Sequence, residues 1–365
     1  MAQKTTEDFR IVAGSYERIL YGIDGYWSGD SITLQPVFIF PAHIGCIKCV
    51  GVGGQFLASG STDEFIKLYD LKRRKELGHL NQQQGTITSL RFYGKSHMLS
   101  GSEDGTVCIW RTKDWECLKT MKGHKGRVNS ISVHPSGKLA LSVSNDRTLR
   151  MWNLLNGHKG TATKLGREGE VIEWNKDGQQ YAILYAREIE VYNAADAEAV
   201  QKFENRSRFT SMKYYQHAGE DYIIAGSEDR VIRIYSVSSG ELLASLKGHS
   251  SRIKDLTIIE SLKSQSDAAS IPLIISISSD GMMKVWNLSE ILKGVQEKID
   301  VFSSIGEYNA QVRLTCVDAV LGYKYKPISK KEELNQSNDE EEGSEAEEEN
   351  SDEEAEEEEE EEEEE

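Results

Sequence analysis

The chain reads Leu139-Ala-Leu-Ser-Val-Ser-Asn-Asp146 and continues through Thr148 to Trp152. An alternating apolar run, an Asp in a turn and a second alternating run that ends in an aromatic residue are typical of two antiparallel strands joined by a tight turn. The same pattern recurs along the chain. We therefore expect an architecture built from repeats rather than from one continuous core.

Seven copies of this pattern align by the aromatic residue that ends each of them. The intervals between those residues are 48, 41, 42, 40, 43 and 51 positions, and the residues are Tyr21, Tyr69, Trp110, Trp152, Tyr192, Tyr235 and Trp286. A period of about 40–45 residues with four short strands per unit is similar to that of WD40 β-propellers. We interpret residues 25–37 as an extended loop and Glu260 to Ser270 as an insertion. The sequence predicts an all-β, seven-bladed WD40 β-propeller over residues 1–325.

Two units carry a set of polar residues that resembles the hydrogen-bonded tetrad of WD40 blades. In that family a His links an Asp and a strand Ser to the indole nitrogen of a Trp, which needs an acceptor when it is buried. The expected sets are His124, Ser142 (or Ser144), Asp146 and Trp152, and His249, Ser276 (or Ser278), Asp280 and Trp286. Ala42-His43 fits the His position loosely, whereas Gln83 and Arg167 occupy it in two other units. Units that end in Tyr69 or Tyr235 have incomplete sets, and we expect those blades to be held less firmly.

The first unit lacks an inner strand before Ile11. A segment that matches the inner strands of other units occurs at the opposite end of the chain, at Val312 to Ala319. We predict that this segment pairs with Ile11–Gly14, so that the N- and C-terminal strands share one blade and close the ring without open sheet edges.

Charge is distributed unevenly along the 365 residues. The formal net charge is −17, but 21 Asp and Glu and no Lys or Arg lie from Asp339 onward. The remaining 39 acidic and 43 basic residues form a mildly basic body. We predict that residues 326–365 are a disordered Glu-rich tail that attracts basic proteins. Ser337, Ser344 and Ser351 each precede a Glu by three positions, a pattern that acidophilic kinases favour, so they are candidate phosphorylation sites.

Several classes of protein do not fit the composition. No apolar run approaches the roughly 18–20 residues of a membrane helix, and the polar N-terminus predicts no signal peptide. Five Cys do not make a disulfide framework, and Cys46 and Cys49 lack a second pair for a structural zinc site. Ser, His and Asp recur in unit after unit, whereas a catalytic set occurs once. We therefore expect no enzymatic activity, no metal and no cofactor.

Two basic features are candidate partner contacts, each with a purely structural alternative. Lys72, Arg73, Arg74 and Lys75 form a basic run that suits nuclear import or a phosphate contact, or simply a solvated turn. The unit from Thr161 to Phe209 has lost the His, the Ser/Gly end and the turn Asp, but is rich in Arg. It is either a drifted repeat or a surface for an acidic partner, with Arg167 and Arg187 as candidate contacts.

Some stretches are more specific than a generic repeat. They include Gly85-Thr-Ile-Thr-Ser-Leu-Arg-Phe-Tyr-Gly94, Trp115-Glu-Cys-Leu-Lys119, His134-Pro-Ser-Gly-Lys138 and Ala310 to Val317. Through them, residues 9–320 closely resemble the p21-activated protein kinase-interacting protein 1-like family, whose yeast relatives are the maintenance-of-killer propellers.

This resemblance implies a scaffold of the nucleus and nucleolus that acts in 60S ribosomal subunit biogenesis and rRNA processing. It also implies, as the alternative, a negative regulator that binds p21-activated protein kinase, and both roles can hold together. Relatives tend to end in Lys-rich segments, whereas this chain ends in poly-Glu. We therefore expect pre-ribosomal proteins and particles as partners, any RNA contact to be indirect, and the protein to be a monomer.

Overall fold

The seven repeats form seven sheets, or blades, each with four antiparallel strands, in a computed structural model that describes residues 7–262, 270–293 and 299–322. The innermost strands contact one another in sequence around the ring, and the last contacts the first. Each blade keeps a short inner edge that lines the channel and is protected by the neighbouring blades, which is the usual solution of a β-propeller to the edge-strand problem.

Blade 1 combines both ends of the described chain. Its strands, from the inner to the outer edge, are β29 (Leu314–Leu321), β1 (Phe9–Ser15), β2 (Ile19–Ser28) and β3 (Ser31–Pro41). Ile11 pairs with Ala319 and Gly14 with Cys316, so the predicted ring closure is confirmed. The inner strand begins at Leu314 rather than Val312, because Gln311 adopts a positive φ of 57° in the turn that precedes it.

The remaining blades follow in chain order, each from its inner to its outer strand. Blade 2 contains β4 (Ile47–Gly53), β5 (Phe56–Ser61), β6 (Ile66–Asp70) and β7 (Lys75–Leu80). Blade 3 contains β8 (Ile87–Tyr93), β9 (His97–Ser102), β10 (Thr106–Arg111) and β11 (Cys117–Lys122). Blade 4 contains β12 (Val128–Val133), β13 (Leu139–Ser144), β14 (Thr148–Asn153) and β15 (His158–Lys164).

Blade 5 contains β16 (Val171–Trp174), β17 (Gln180–Tyr185), β18 (Glu188–Asn193) and β19 (Ala199–Glu204). Blade 6 contains β20 (Phe209–His217), β21 (Glu220–Ser227), β22 (Val231–Ser236), β23 (Leu242–Lys247) and a fifth strand, β27 (Ile299–Val301), which pairs with β23 in parallel. Blade 7 contains β24 (Ile253–Leu262), β25 (Ser270–Ser278), β26 (Met282–Asn287) and β28 (Gly306–Asn309); the helix α1 (Leu288–Lys293) follows β26.

The hydrophobic core lies between neighbouring blades rather than within any one of them. Leu99 and Val107 of blade 3, for example, pack in one buried cluster with Val128, Ile131 and Trp152 of blade 4. Every described blade contributes to such a cluster with a neighbour. A single repeat therefore cannot bury its own faces, and stability depends on the completed ring.

Residues 25–37 are not the extended loop that the sequence suggested. They belong to a long hairpin in which Trp27 pairs with Ile32 and Gly25 with Leu34. Ile32 is buried in the blade 7–blade 1 core, and its amide donates to the Ile305 carbonyl at 2.7 Å. The hairpin therefore extends blade 1 over the neighbouring blade.

Internal contacts divide the chain into residues 1–323 and 324–365. The second unit, which includes the predicted tail and its candidate phosphorylation sites, lies outside the described residues. Among the residues that are described, no helix is long and apolar enough to span a membrane.

Candidate functional site

The tetrad of blade 4 connects two strands, the turn between them and the loop that precedes the blade. The Trp152 indole N–H donates to Ser142 Oγ at 2.8 Å, and Ser142 Oγ lies 2.7 Å from His124 Nε2. His124 Nδ1 lies 3.1 Å from Asp146 Oδ2. Ser144, the alternative in the sequence, donates instead to the Gly126 carbonyl. The structure thus brings His124, Ser142, Asp146 and Trp152 into one hydrogen-bonded chain.

The electrostatics of this chain favour a neutral imidazole beside a carboxylate. Burial lowers the pKa of His124 below its usual value. Burial alone would raise the pKa of Asp146, but hydrogen bonds from the Lys125 amide, Thr148 and His124 lower it to about 2. With the His neutral, its Nε2 accepts a hydrogen bond from the Ser142 hydroxyl, whose oxygen accepts one from the indole N–H.

In blade 7, three of the four expected residues meet. The Trp286 indole donates to Ser276 Oγ at 3.0 Å, and that oxygen lies 2.8 Å from His249 Nε2, whereas Ser278 donates to the Ser251 carbonyl. Asp280 does not bond to His249; its carboxylate accepts from the amide and the hydroxyl of Ser250 instead. Among the described residues His249 Nδ1 has no hydrogen-bond partner, and burial lowers the pKa of His249 to about 4.

Blade 2 contains most of a tetrad although it ends in Tyr69. His43 Nδ1 lies 2.9 Å from Asp63 Oδ2, and His43 Nε2 lies 2.8 Å from Ser59 Oγ. The buried Tyr69 hydroxyl has no hydrogen-bond partner among the described residues. His43 therefore occupies the His position of a tetrad, and blade 2 lacks only the Trp indole that would complete it.

Blade 3 replaces the His by a glutamine. The Trp110 indole donates to Ser100 Oγ at 2.8 Å, and Ser100 donates to the Gln83 side-chain oxygen. The Gln83 amide nitrogen donates to Thr106 Oγ1 at 3.0 Å, and Thr106 Oγ1 donates to Asp104 at 2.7 Å. Gln83 thus performs the bridging that His124 performs in blade 4, without a titratable group.

Blade 5 replaces the same position by Arg167. Its guanidinium forms ion pairs with Glu188 and Glu190 and lies 3.9 Å from the centroid of the Tyr185 ring. The Tyr192 hydroxyl donates to Glu190. Two carboxylates of its own blade neutralise Arg167, so this geometry does not support Arg167 as a partner contact. Arg187 differs, because it is exposed in the turn between β17 and β18.

The basic run Lys72–Lys75 covers the turn between β6 and β7 and the first residue of β7, with all four side chains exposed. The buried Asp70 carboxylate organises this turn: it accepts the amides of Lys72 at 2.9 Å and Arg73 at 2.8 Å. Within the described part of the chain, none of the four cations forms an ion pair with a carboxylate. The turn therefore presents fixed backbone and free positive charge.

Half-buried charges in the central channel form a feature that the sequence analysis missed. Glu173 Oε1 accepts from Arg91 and from Lys213, both at 3.0 Å, although the three residues come from blades 5, 3 and 6. Burial alone would raise the pKa of Glu173, but Lys213 and Arg91 lower it overall. These charges join inner strands across the channel.

The inner-strand position that holds Ser or Cys in most blades also joins neighbouring inner strands. Ser130 Oγ accepts the Ile172 amide of the next blade at 3.3 Å. Blade 7 has Asp255 at this position, and its carboxylate accepts the Val317 amide at 3.0 Å. An Asp in a slot of small residues was the signal for this contact.

The polar clusters of the described residues are structural in character. Within the described ranges there is no group of three or more His, Cys, Asp or Glu that could hold a metal, and the five Cys are free thiols. The Ser–His–Asp sets face Trp or Tyr side chains inside the blades, so their hydroxyls are committed to structure.

These features define a WD40 β-propeller of the non-enzymatic, scaffolding kind. The family model "WD domain, G-beta repeat" matches residues 34–70, 72–111 and 115–153.

Three similar proteins narrow the family. The chain is 38% identical over 307 residues to "p21-activated protein kinase-interacting protein 1-like" of Gallus gallus, covering 84% of this chain and 79% of that protein. The namesake in Danio rerio is 37% identical over 311 residues, 85% of this chain and 80% of its own. "Protein MAK11" of Saccharomyces cerevisiae is 29% identical over 391 residues, 90% and 91% of the two chains. The chain belongs to the p21-activated protein kinase-interacting protein 1-like family.

Proposed function

We propose that this protein is a nucleolar scaffold for assembly of the large ribosomal subunit and for the accompanying rRNA processing. The basic turn Lys72–Lys75 carries the proposal. Four exposed cations, none of which pairs with a carboxylate among the described residues, stand on a turn that Asp70 fixes, and the ring behind them is closed. Such a turn suits a phosphate-bearing or acidic surface of a large particle, and the basic run also suits import into the nucleus.

The resemblance of the specific stretches, including Trp115-Glu-Cys-Leu-Lys119, to the family adds support. A closed ring of seven blades supplies loops at both ends and outer strands around its rim. A scaffold needs several such surfaces held at fixed distances, and a propeller supplies them without conformational change.

Affinity purification tests this role. Tagged full-length protein from nuclear extract should enrich precursor rRNA of the large subunit over that of the small subunit. The variant K72E/R73E/K75E should lose most of this enrichment while it remains folded. The matched control is K119E/K122E/K125E, which reverses three exposed charges on and just after β11 and should retain it. Equal enrichment of both precursors, or of neither, would contradict the proposal.

The second candidate is regulation of a p21-activated protein kinase by direct binding. The names of the vertebrate relatives, which describe a protein that interacts with this kinase, favour it. Purified full-length protein should bind the regulatory region of the kinase and lower its phosphorylation of a substrate peptide. No binding at micromolar concentration would eliminate this candidate and leave the assembly role unaffected.

A further inference from the structure

One mouth of the central channel carries an unusual concentration of positive charge. The inner strands β24, β29 and β4 contact one another in that order, and their second residues are Lys254, Thr315 and Lys48. All three line the same cavity of about 210 Å³. The Thr315 hydroxyl already has a hydrogen-bond partner, because it donates to the Ile47 carbonyl of β4 at 2.6 Å. The two lysines therefore flank a satisfied hydroxyl and face the channel.

Two arginines extend this charge along the rim. Arg252 and Arg313 lie just before β24 and β29, and the Arg313 guanidinium carbon lies 5.3 Å from the centroid of the Tyr16 ring. Among the described residues, the carboxylate that pairs with Arg252 is a distant one, at 3.9 Å in Glu228. Over the ranges that the structure describes, neither Lys48 nor Lys254 forms an ion pair. Burial and the charges of Arg252, Arg313 and Lys48 lower the pKa of Lys254.

The other side of the same mouth is built differently. Arg127 pairs there with Glu168 at 3.3 Å, and Arg208 pairs with Glu170 at 2.9 Å. Holding like charges together without counter-charges costs free energy. The arc formed by blades 7, 1 and 2 thus differs from the other side, because among the described residues its cations have no carboxylate closer than 3.9 Å.

Apolar side chains border this arc. Ile44 is 80% exposed and Tyr16 is 55% exposed, and both line a shallow recess in which Lys48 and Arg18 outnumber the single carboxylate, Glu17. Exposed large apolar residues next to unpaired cations are the composition of a site that binds a peptide with both acidic and apolar residues.

We propose that the mouth site, formed by Lys48, Lys254 and Arg313 with Tyr16 and Ile44, binds an acidic peptide segment of a partner protein. The segment places carboxylates on the lysines and an apolar side chain against Ile44. A nucleic acid fits less well, because a longer polyanion would cross Glu168 and Glu170 on the far side. Arg313 also lies on the face of Tyr16, which is the aromatic surface on which a base would stack. The site is separate from the Lys72–Lys75 turn and does not depend on the proposed assembly role.

Fluorescence anisotropy with full-length protein tests the mouth site. The probe is a labelled hexaglutamate peptide that ends in leucine, and every variant keeps the chain's own Glu-rich segment, so any competition from it is equal throughout. K48E/K254E should raise the Kd by about tenfold or more, because both reversed charges would face the carboxylates. The control is K95E, which also replaces one exposed lysine by glutamate, in a turn at the opposite end of the inner strands. K95E should change the Kd by less than about twofold.

Several results would overturn the assignment. These are equal binding of the peptide by K48E/K254E, a Kd that does not rise with salt, and tighter binding of a labelled oligouridine that displaces the peptide. Thermal midpoints establish that the variants are folded. If K48E/K254E is unstable, K48E alone provides the test. Because Lys48 is exposed, K48E should lower the affinity for the peptide about threefold without unfolding the ring. Loss of precursor rRNA without any change in peptide binding would affect the assembly role alone.

Discussion

Replacing His249 by glutamine should make the stability of the propeller less sensitive to acid. His249 bridges to Ser276 and Trp286 in blade 7, and burial lowers its pKa to about 4. Blade 3 already has glutamine at this position, where Gln83 accepts from Ser100 and donates to Thr106. H249Q should therefore preserve the bridge while it removes the titrating group.

The magnitude follows from the two pKa values. An unfolded His has a pKa of about 6.5, so between pH 6.5 and pH 4 the unfolded chain binds more protons than the folded one does. Stability then falls as the pH falls through this window. For a shift from about 6.5 to about 4, the loss attributable to His249 between pH 8 and pH 5 is about 2 kcal/mol.

Urea unfolding of full-length protein at pH 8 and at pH 5 measures this effect. The unfolding free energy of H249Q should drop by about 2 kcal/mol less between the two pH values than that of the unmodified protein. The exposed His158 provides the control, since H158Q should leave the drop nearly unchanged. An equal drop in H249Q and the unmodified protein would refute the reasoning that His249 is buried in its neutral form.

Three further predictions concern the ring. S142A removes the acceptor of the Trp152 indole and the bond to His124, and should lower the free energy of unfolding in urea by about 2–4 kcal/mol. S136A, in an exposed turn, should lower it by less than about 0.5 kcal/mol. Similar losses in the two variants would contradict the role of the tetrad. Deleting residues 1–24 removes β1 and most of β2, and should lower the thermal midpoint by more than about 10 °C; a midpoint within a degree or two would contradict closure. Iodoacetamide on the native protein at pH 8 should modify at most two of the five thiols, as measured by intact mass. Burial raises the pKa of Cys49 and Cys108 to about 12 and also raises that of Cys316, so these three should not react. More than two adducts would contradict their burial.

The repeat architecture could be predicted because the chain repeats its own pattern. Period, alternation and terminal aromatics are local features, and they identified seven blades and the shared blade 1. The choice between Ser142 and Ser144 could not be made in the same way. Residues two apart on a strand face the same side, and only the three-dimensional path of the preceding loop places Ser144 against the Gly126 carbonyl.

The polar contacts were harder to predict because alternatives compete at each position. Asp280 has the expected spacing, yet its carboxylate accepts a hydrogen bond from the Ser250 hydroxyl rather than from the neighbouring His249. The sequence offers Arg167 as a candidate partner contact because its counter-charges, Glu188 and Glu190, lie 21 and 23 residues further along the chain. The channel network of Arg91, Glu173 and Lys213 spans three blades, and a periodic pattern contains no information on such contacts.

Sedimentation of nuclear extract in a sucrose gradient, with and without ribonuclease, tests the proposed assembly role most directly. We expect full-length protein to sediment with large pre-ribosomal particles and to move to the top of the gradient after ribonuclease treatment. A protein that stays near the top in both gradients, as a monomer or in a small complex, would contradict the assembly role and make kinase regulation the leading candidate.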